Sequence, residues 1–126
     1  MGDRGNIVIK QKDDDLIFLY THWGGHDIKE TLSKALARGR DRWDDESYLA
    51  RIIFEEMISV DRNGSTGFGI STYPPDNDGY PFLVVDMKSQ KVFEHEALDE
   101  KPFIGKKLNC WMFSSLAEEL DGKQSR

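Results

Sequence analysis

The sequence predicts an α+β fold: an antiparallel sheet with two central helices packed on one face, in the order β-β-α-α-β-β-β with a C-terminal helical segment. Three observations point there. Two short apolar runs, "NIVIK" and "LIFLYTH", flank a polar turn; two stretches of helical periodicity follow; and three more strand-like runs come after those helices. The strict β-α-β alternation of a dinucleotide fold is absent, as is any internal repeat.

The first run alternates and is β-branched, "QKDDD" is a turn, and Leu16 to Tyr20 is apolar at every position, which predicts a mid-sheet strand covered on both faces. After "GG", Asp27 stands three residues before Glu30 like a capping box, and Ile28, Leu32, Ala35 and Leu36 recur at helical spacing up to about Gly39. A second helix follows "DD". Leu49, Ile52, Ile53 and Met57 form its stripe, Phe54 and Ile58 widen it, and Ser47, Arg51 and Glu55 take the polar side. "DRNG" ends that helix, "GFGISTY" reads as a strand, and "PPDNDGYP" is a loop. "PFLVVDM" and "KVFEHE" form a hairpin, and "ALDEKPFIGKK" reads as a polar connector. "LNCWMFSSLAEEL" is either a strand leading into a helix or one helix closed by Gly122.

At 126 residues the chain predicts one α+β domain over 1–122, with a frayed tail over 123–126. Its apolar share of 38% excludes wholesale disorder. The formal charge of −6 opposes direct binding to duplex nucleic acid or an anionic membrane, so an anion site requires a local cluster of cations. A single cysteine, Cys110, forbids an internal disulfide. No apolar run is long enough to span a bilayer and "MGDRGNIVIK" lacks a signal-peptide core, so the expected location is the cytoplasm. Asn6 stands where a myristoylation motif needs Ser or Thr.

Two constellations carry binding chemistry. In "LYTHWGGHD", Thr21, His22, Trp23, Gly24, Gly25 and His26 sit between a strand and a helix start. Tandem glycines allow positive φ and a close backbone approach, Trp23 offers a stacking face, and the amides or a histidine offer an anion site. The plainer alternative is a sharp turn with Trp23 plugging the core. In "ALARGRDRWDDESY", Arg38, Arg40 and Arg42 alternate with Trp43. With Arg4 and Arg51 they form either a guanidinium cluster for phosphate or carboxylate, or cations at a helix C-terminus paired with surface acids.

The spacing of His22 and His26 matches two zinc ligands on a helix, but the intervening glycines argue against a helix there; His95 completes a set only if the fifth strand lies next to the second. No metal site, cofactor or catalytic set is assigned. "DRNGSTGFGIST" lacks the residues of a P-loop, and "DRNG" and "DNDG" lack those of a calcium loop. Trp111, Met112 and Phe113 either close the core or form a homo-oligomer face.

The segments "MGDRGNIVI", "FLYTHWGG", "ALARGRDRWDDESYLARIIFEEMI" and "TGFGIST" resemble a group of small proteins from bacterial and phage genomes, over roughly the first 72 residues and part of "FLVVD". The resemblance transfers no catalytic residue. It implies a compact stand-alone protein acting by binding, in a phage setting within the host cytoplasm, by sequestering a nucleotide signal of host defence or blocking a host protein. The leading expectation is therefore a non-catalytic binder of a small anionic, nucleotide-like ligand. A second is an interaction inhibitor using the acids at 13–15, 44–46 and 94–100, and a third is a phosphoester or glycosidic-bond hydrolase using His22 or His26.

Overall fold

The computed structural model of the chain describes residues 2–61, 63–74 and 77–124, the last six as backbone only. Six strands form one sheet and three helices accompany it: β1 (Gly5–Lys10), β2 (Leu16–Thr21), α1 (Ile28–Arg38), α2 (Glu46–Ile58), β3 (Phe68–Ser71), β4 (Phe82–Asp86), β5 (Lys91–Ala97), β6 (Ile104–Met112) and α3 (Phe113–Gln124). The strand order is β3-β2-β1-β4-β5-β6. This is the predicted α+β class with two corrections.

First, the sheet is mixed, because β1 and β4 run parallel while the other four pairs are antiparallel. β3 occupies the outer side of β2, so the chain must reach the open side of β1. At 77–81 the chain lies at the end where β1 starts, as the bond from Asp78 N–H to the Arg4 carbonyl marks (2.9 Å), and β4 then runs in the same direction as β1. Second, the 104–112 segment is a sixth strand, not a connector. It is an edge strand with exposed Lys106, Lys107 and Asn109, which hides the alternation expected of a half-buried strand. Two register shifts, between Glu94 and His95 and between His95 and Ala97, kink its pairing with β5. The chain passes straight into α3, which runs through Gly122 to Gln124 instead of closing there. Of the tail expected to fray, 125 and 126 lie outside the described residues.

Period-2 alternation sorts the strand residues onto two faces. Ile7, Ile9, Leu19, Leu83, Val85 and Val92 meet Leu32, Leu36, Leu49, Ile53, Phe113 and Leu116 from all three helices in the main core. On the other face Val8, Phe18, Phe82 and Val84 form a smaller cluster, with Phe93, Phe103 and Ile104 against it. The Phe103 ring stands edge-on to Phe18 at 6.0 Å. Phe18 and Leu19 are thus buried on opposite faces of β2, as a continuous apolar run requires. Each such burial stabilises by about 1.5–3 kcal/mol.

Helix α1 buries Ile28, Leu32, Ala35 and Leu36, the predicted stripe, but Asp27 makes no capping bond. Its carboxylate lies 3.0 Å from His26 Nε2 instead. At α2 the Asp45 carboxylate does cap, accepting from Tyr48 N–H at 3.2 Å. Phe113 is buried and Trp111 packs on the core beneath the Lys29 ammonium (4.4 Å), so of the three residues weighed as a homo-oligomer face only Met112 is exposed.

Candidate functional site

The N-terminal arm, the strand-to-helix turn and the 77–81 loop meet at one end of the sheet. Asp3 joins them. One carboxylate oxygen accepts the Tyr80 hydroxyl, and the other accepts the His26 N–H (3.0 Å) and bonds His26 Nδ1. These partners, Tyr80 first and His26 next, hold the Asp3 carboxyl down at about 2. The same bond to Asp3, with the Asp27 charge on the other ring nitrogen, raises the His26 pKa; accepting that hydroxyl hydrogen bond, Asp3 raises Tyr80.

This arrangement corrects the anion-site expectation for the "THWGGHD" turn. Gly24 N–H donates to Thr21 Oγ1 (3.0 Å), Gly25 N–H to the Asp3 carbonyl (2.8 Å), His26 N–H to the Asp3 carboxylate and Asp27 N–H to the Gly24 carbonyl (3.1 Å). The anion at the helix start is Asp3 of the same chain. Nor do the tandem glycines supply positive φ: Gly24 has φ −107°, and among the described glycines only Gly67 and Gly79 are positive. Gly25 is needed for close approach, since a Cβ there would lie 2.6 Å from the Tyr80 ring and 2.7 Å from the Asp3 carbonyl. The approaching group is the chain's own tyrosine.

The histidines have structural partners. His26 is held between two carboxylates, which favours the imidazolium. His22 Nδ1 lies 2.9 Å from the Tyr20 hydroxyl. His95 lies on β5, three strands from β2, or about 14 Å at ordinary strand spacing, and its Nδ1 is 2.9 Å from the Gly105 carbonyl. It therefore does not join His22. Among the described residues no group of three or more His, Cys, Asp or Glu is placed to hold a metal ion.

The arginines divide between the two ends of α1, an 11-residue helix about 16 Å long. Arg38 reaches Glu55 at 3.1 Å, Glu56 at 3.3 Å and the Ile52 carbonyl at 3.1 Å; Arg51 reaches Glu55 at 2.7 Å. These guanidiniums, Arg38 first, lower the Glu55 pKa. Arg40 stacks on Trp43 (5.3 Å) and Arg42 on Tyr48 (5.1 Å). Trp43 itself is tied inward, its indole N–H donating to the Leu36 carbonyl (3.0 Å) and its ring edge-on to Phe113. The Arg38–Arg51 group is thus engaged within the helix layer and does not share a site with the 21–26 turn.

Arg4 belongs to a different place. Its backbone N–H and guanidinium both engage Asp78, at 2.7 Å and 3.2 Å, and these contacts, the backbone bond first, lower the Asp78 pKa. Arg4 also lines a cleft of about 800 Å³. Arg4, Asn77, Tyr80, Phe82, Glu96 and Asp99 line it, Phe82 at the start of β4 and Glu96 near the end of β5. Tyr73 is 63% exposed and lines the same cleft. Asn77 is fixed by donating to the Tyr80 carbonyl (2.7 Å), and the Glu96 carboxylate by accepting Lys106 N–H (3.1 Å). Of the residues singled out in the sequence, Arg4 lies here, as do Glu96 and Asp99 from the acids of 94–100. Asp3 and Tyr80 carry no local signal, because their bond joins residues 77 positions apart, and nothing in the sequence marks Tyr73 or Asn77.

Trp23, 49% exposed, lines a separate crevice of about 260 Å³ with Thr21, Gly24 and Phe68. Among the described residues no helix is long and apolar enough to cross a membrane. Comparison with protein-family models, curated proteins and solved structures finds no match for the chain.

Proposed function

We propose that this protein is a non-catalytic binder that captures a small nucleotide-like ligand in the Arg4 cleft. The observation that carries the reading is the chemistry of the cleft's lining: a guanidinium, a carboxamide, carboxylates and the exposed Tyr73 ring around one space. A nucleotide offers matching groups, with an anionic end, a flat base that stacks on tyrosine, and a polar base edge. The volume lies within the range of small-molecule sites, about 300–1,000 Å³. Capture without turnover agrees with sequestration of a nucleotide signal, as the resemblance to small phage and bacterial proteins implies.

The test is isothermal titration with mononucleotides, cyclic nucleotides and dinucleotides at fixed ionic strength. Binding with an intact ligand recovered afterwards is expected. Tyr73→Ala, an exposed position, weakens it roughly tenfold through lost stacking. If no nucleotide binds at millimolar concentration, the reading is wrong.

A second reading, a protein partner with a basic surface, draws on one contact set. Lys12 donates its backbone N–H to Glu46 (2.8 Å) and its ammonium to the Asp44 carbonyl (2.8 Å), so the acids of 13–15 and 44–46 share one end of the molecule. Charge reversal at Asp13 and Asp45 would abolish capture of such a partner while leaving nucleotide titrations unchanged.

A further inference from the structure

All three helices pack against one face of the sheet, and on the other face the 97–104 segment lays Ala97, Phe103 and Ile104 against Val8, Phe18, Phe82 and Val84. Beyond that segment the second face is open. Two clefts of about 520 and 880 Å³ lie there and share Leu16 and Pro102. Residues directly opposite in an antiparallel pair point to one face, so Cys110 stands beside Phe93, and Met112 beside Lys91, on this same side. Leu16 and Phe93 pack on the Val8 cluster, and Met112 is 52% exposed. An apolar band thus crosses the face from β2 to β6. Four strand spacings make it about 19 Å wide, a breadth that suits the face of a second sheet seated about 10 Å away.

Charge indicates which sheet. In a chain of net charge −6, the two clefts are lined by Lys10, Lys101 and Lys107 and by Asp14, Asp15 and Asp86, three of each sign. A polyanionic partner requires surplus cations, and a basic partner requires surplus acids. A twofold interface joins one patch to itself and so requires both signs within that patch. Lys10 lies 3.7 Å from Asp14, and the Lys107 ammonium lies 5.1 Å from the centre of the Phe93 ring, so charge of both signs borders the apolar band.

We infer that the protein forms a twofold dimer in which this second sheet face meets the same face of a second copy. Leu16, Phe93 and Met112 make the apolar contact, and the lysines of each copy meet the aspartates of the other. The inference does not depend on a ligand in the Arg4 cleft.

Native mass spectrometry and sedimentation velocity of the full chain, from micromolar to near-millimolar concentration, test this. The expected result is a dimer mass that gives way to monomer on dilution, with Cys110, exposed in the single chain, alkylated more slowly as the concentration rises. Met112→Glu changes an exposed position, and its fold is checked by its melting curve; it should raise the dimer dissociation constant roughly tenfold or more. Protection of Cys110 is read in the unaltered chain and needs no variant to fold. A monomer at every concentration overturns the inference, whether it is bare or retains an apolar small molecule. So does a dimer in which Cys110 reacts at the monomer's rate, because the contact then lies elsewhere.

Discussion

Asp3 accepts the hydroxyl of Tyr80 across 77 positions of sequence while its other oxygen holds His26. One side chain therefore ties the wall of the cleft to the start of α1.

Both partners of this bond titrate, in opposite senses. Asp3 is depressed to about 2 from an ordinary 3.8, so its contribution is complete above about pH 4 and fades as pH falls toward 2. His26 is raised above 6.5, so its contribution is complete below that value and is lost as pH rises through the elevated one. Thermal melts should be highest between about pH 4 and 6.5. Asp3→Asn should lower the melting temperature by a few degrees in that window and flatten the decline on its alkaline side. A wild-type profile that does not decline from pH 6 to 8 would contradict the coupling.

The arginines near the C-terminus of α1 should be dispensable for the cleft. Replacing Arg38, Arg40 and Arg42 together by alanine leaves nucleotide affinity unchanged in titration, since Arg38 serves Glu55 and Glu56 and the other two lie on aromatic rings. Loss of affinity in a variant that still melts cooperatively would relocate the ligand.

Gly67 has φ +101° and a Cβ there would overlap the Trp23 ring. Gly67→Ala should cost about 1–3 kcal/mol and release the indole, read as a lower denaturation midpoint and a red-shifted tryptophan emission.

Leu36 is fully buried where α1 meets the sheet, and Ile70 is 60% exposed on β3. Leu36→Ala should cost about 2–5 kcal/mol in urea unfolding, and Ile70→Ala within about 0.5 kcal/mol of nothing.

The parts of the fold that were legible are those with a local period. The β1–β2 hairpin and the buried stripes of α1 and α2 were all readable because neighbours within one element decide them. β6 was not, because an edge strand with Lys106, Lys107 and two register shifts shows no alternation. The parallel pairing of β1 with β4 depends on where β3 docks, which no segment encodes alone. The site suffered most. The "THWGGHD" turn carries the composition of a ligand loop, yet its amides serve Thr21, Asp3 and Gly24. Arg4, Tyr80 and Glu96 meet only through tertiary folding.

The borders of the sheet set how this protein can associate with copies of itself. One border is the four-residue strand β3 and the other is the kinked, lysine-bearing β6, so neither offers a long flat template for recruiting another chain's backbone. Self-association would have to use side chains of the helix layer or of the second sheet face. Such contacts respond to single substitutions and dissolve on dilution, and a concentrated solution should remain free of fibrous growth.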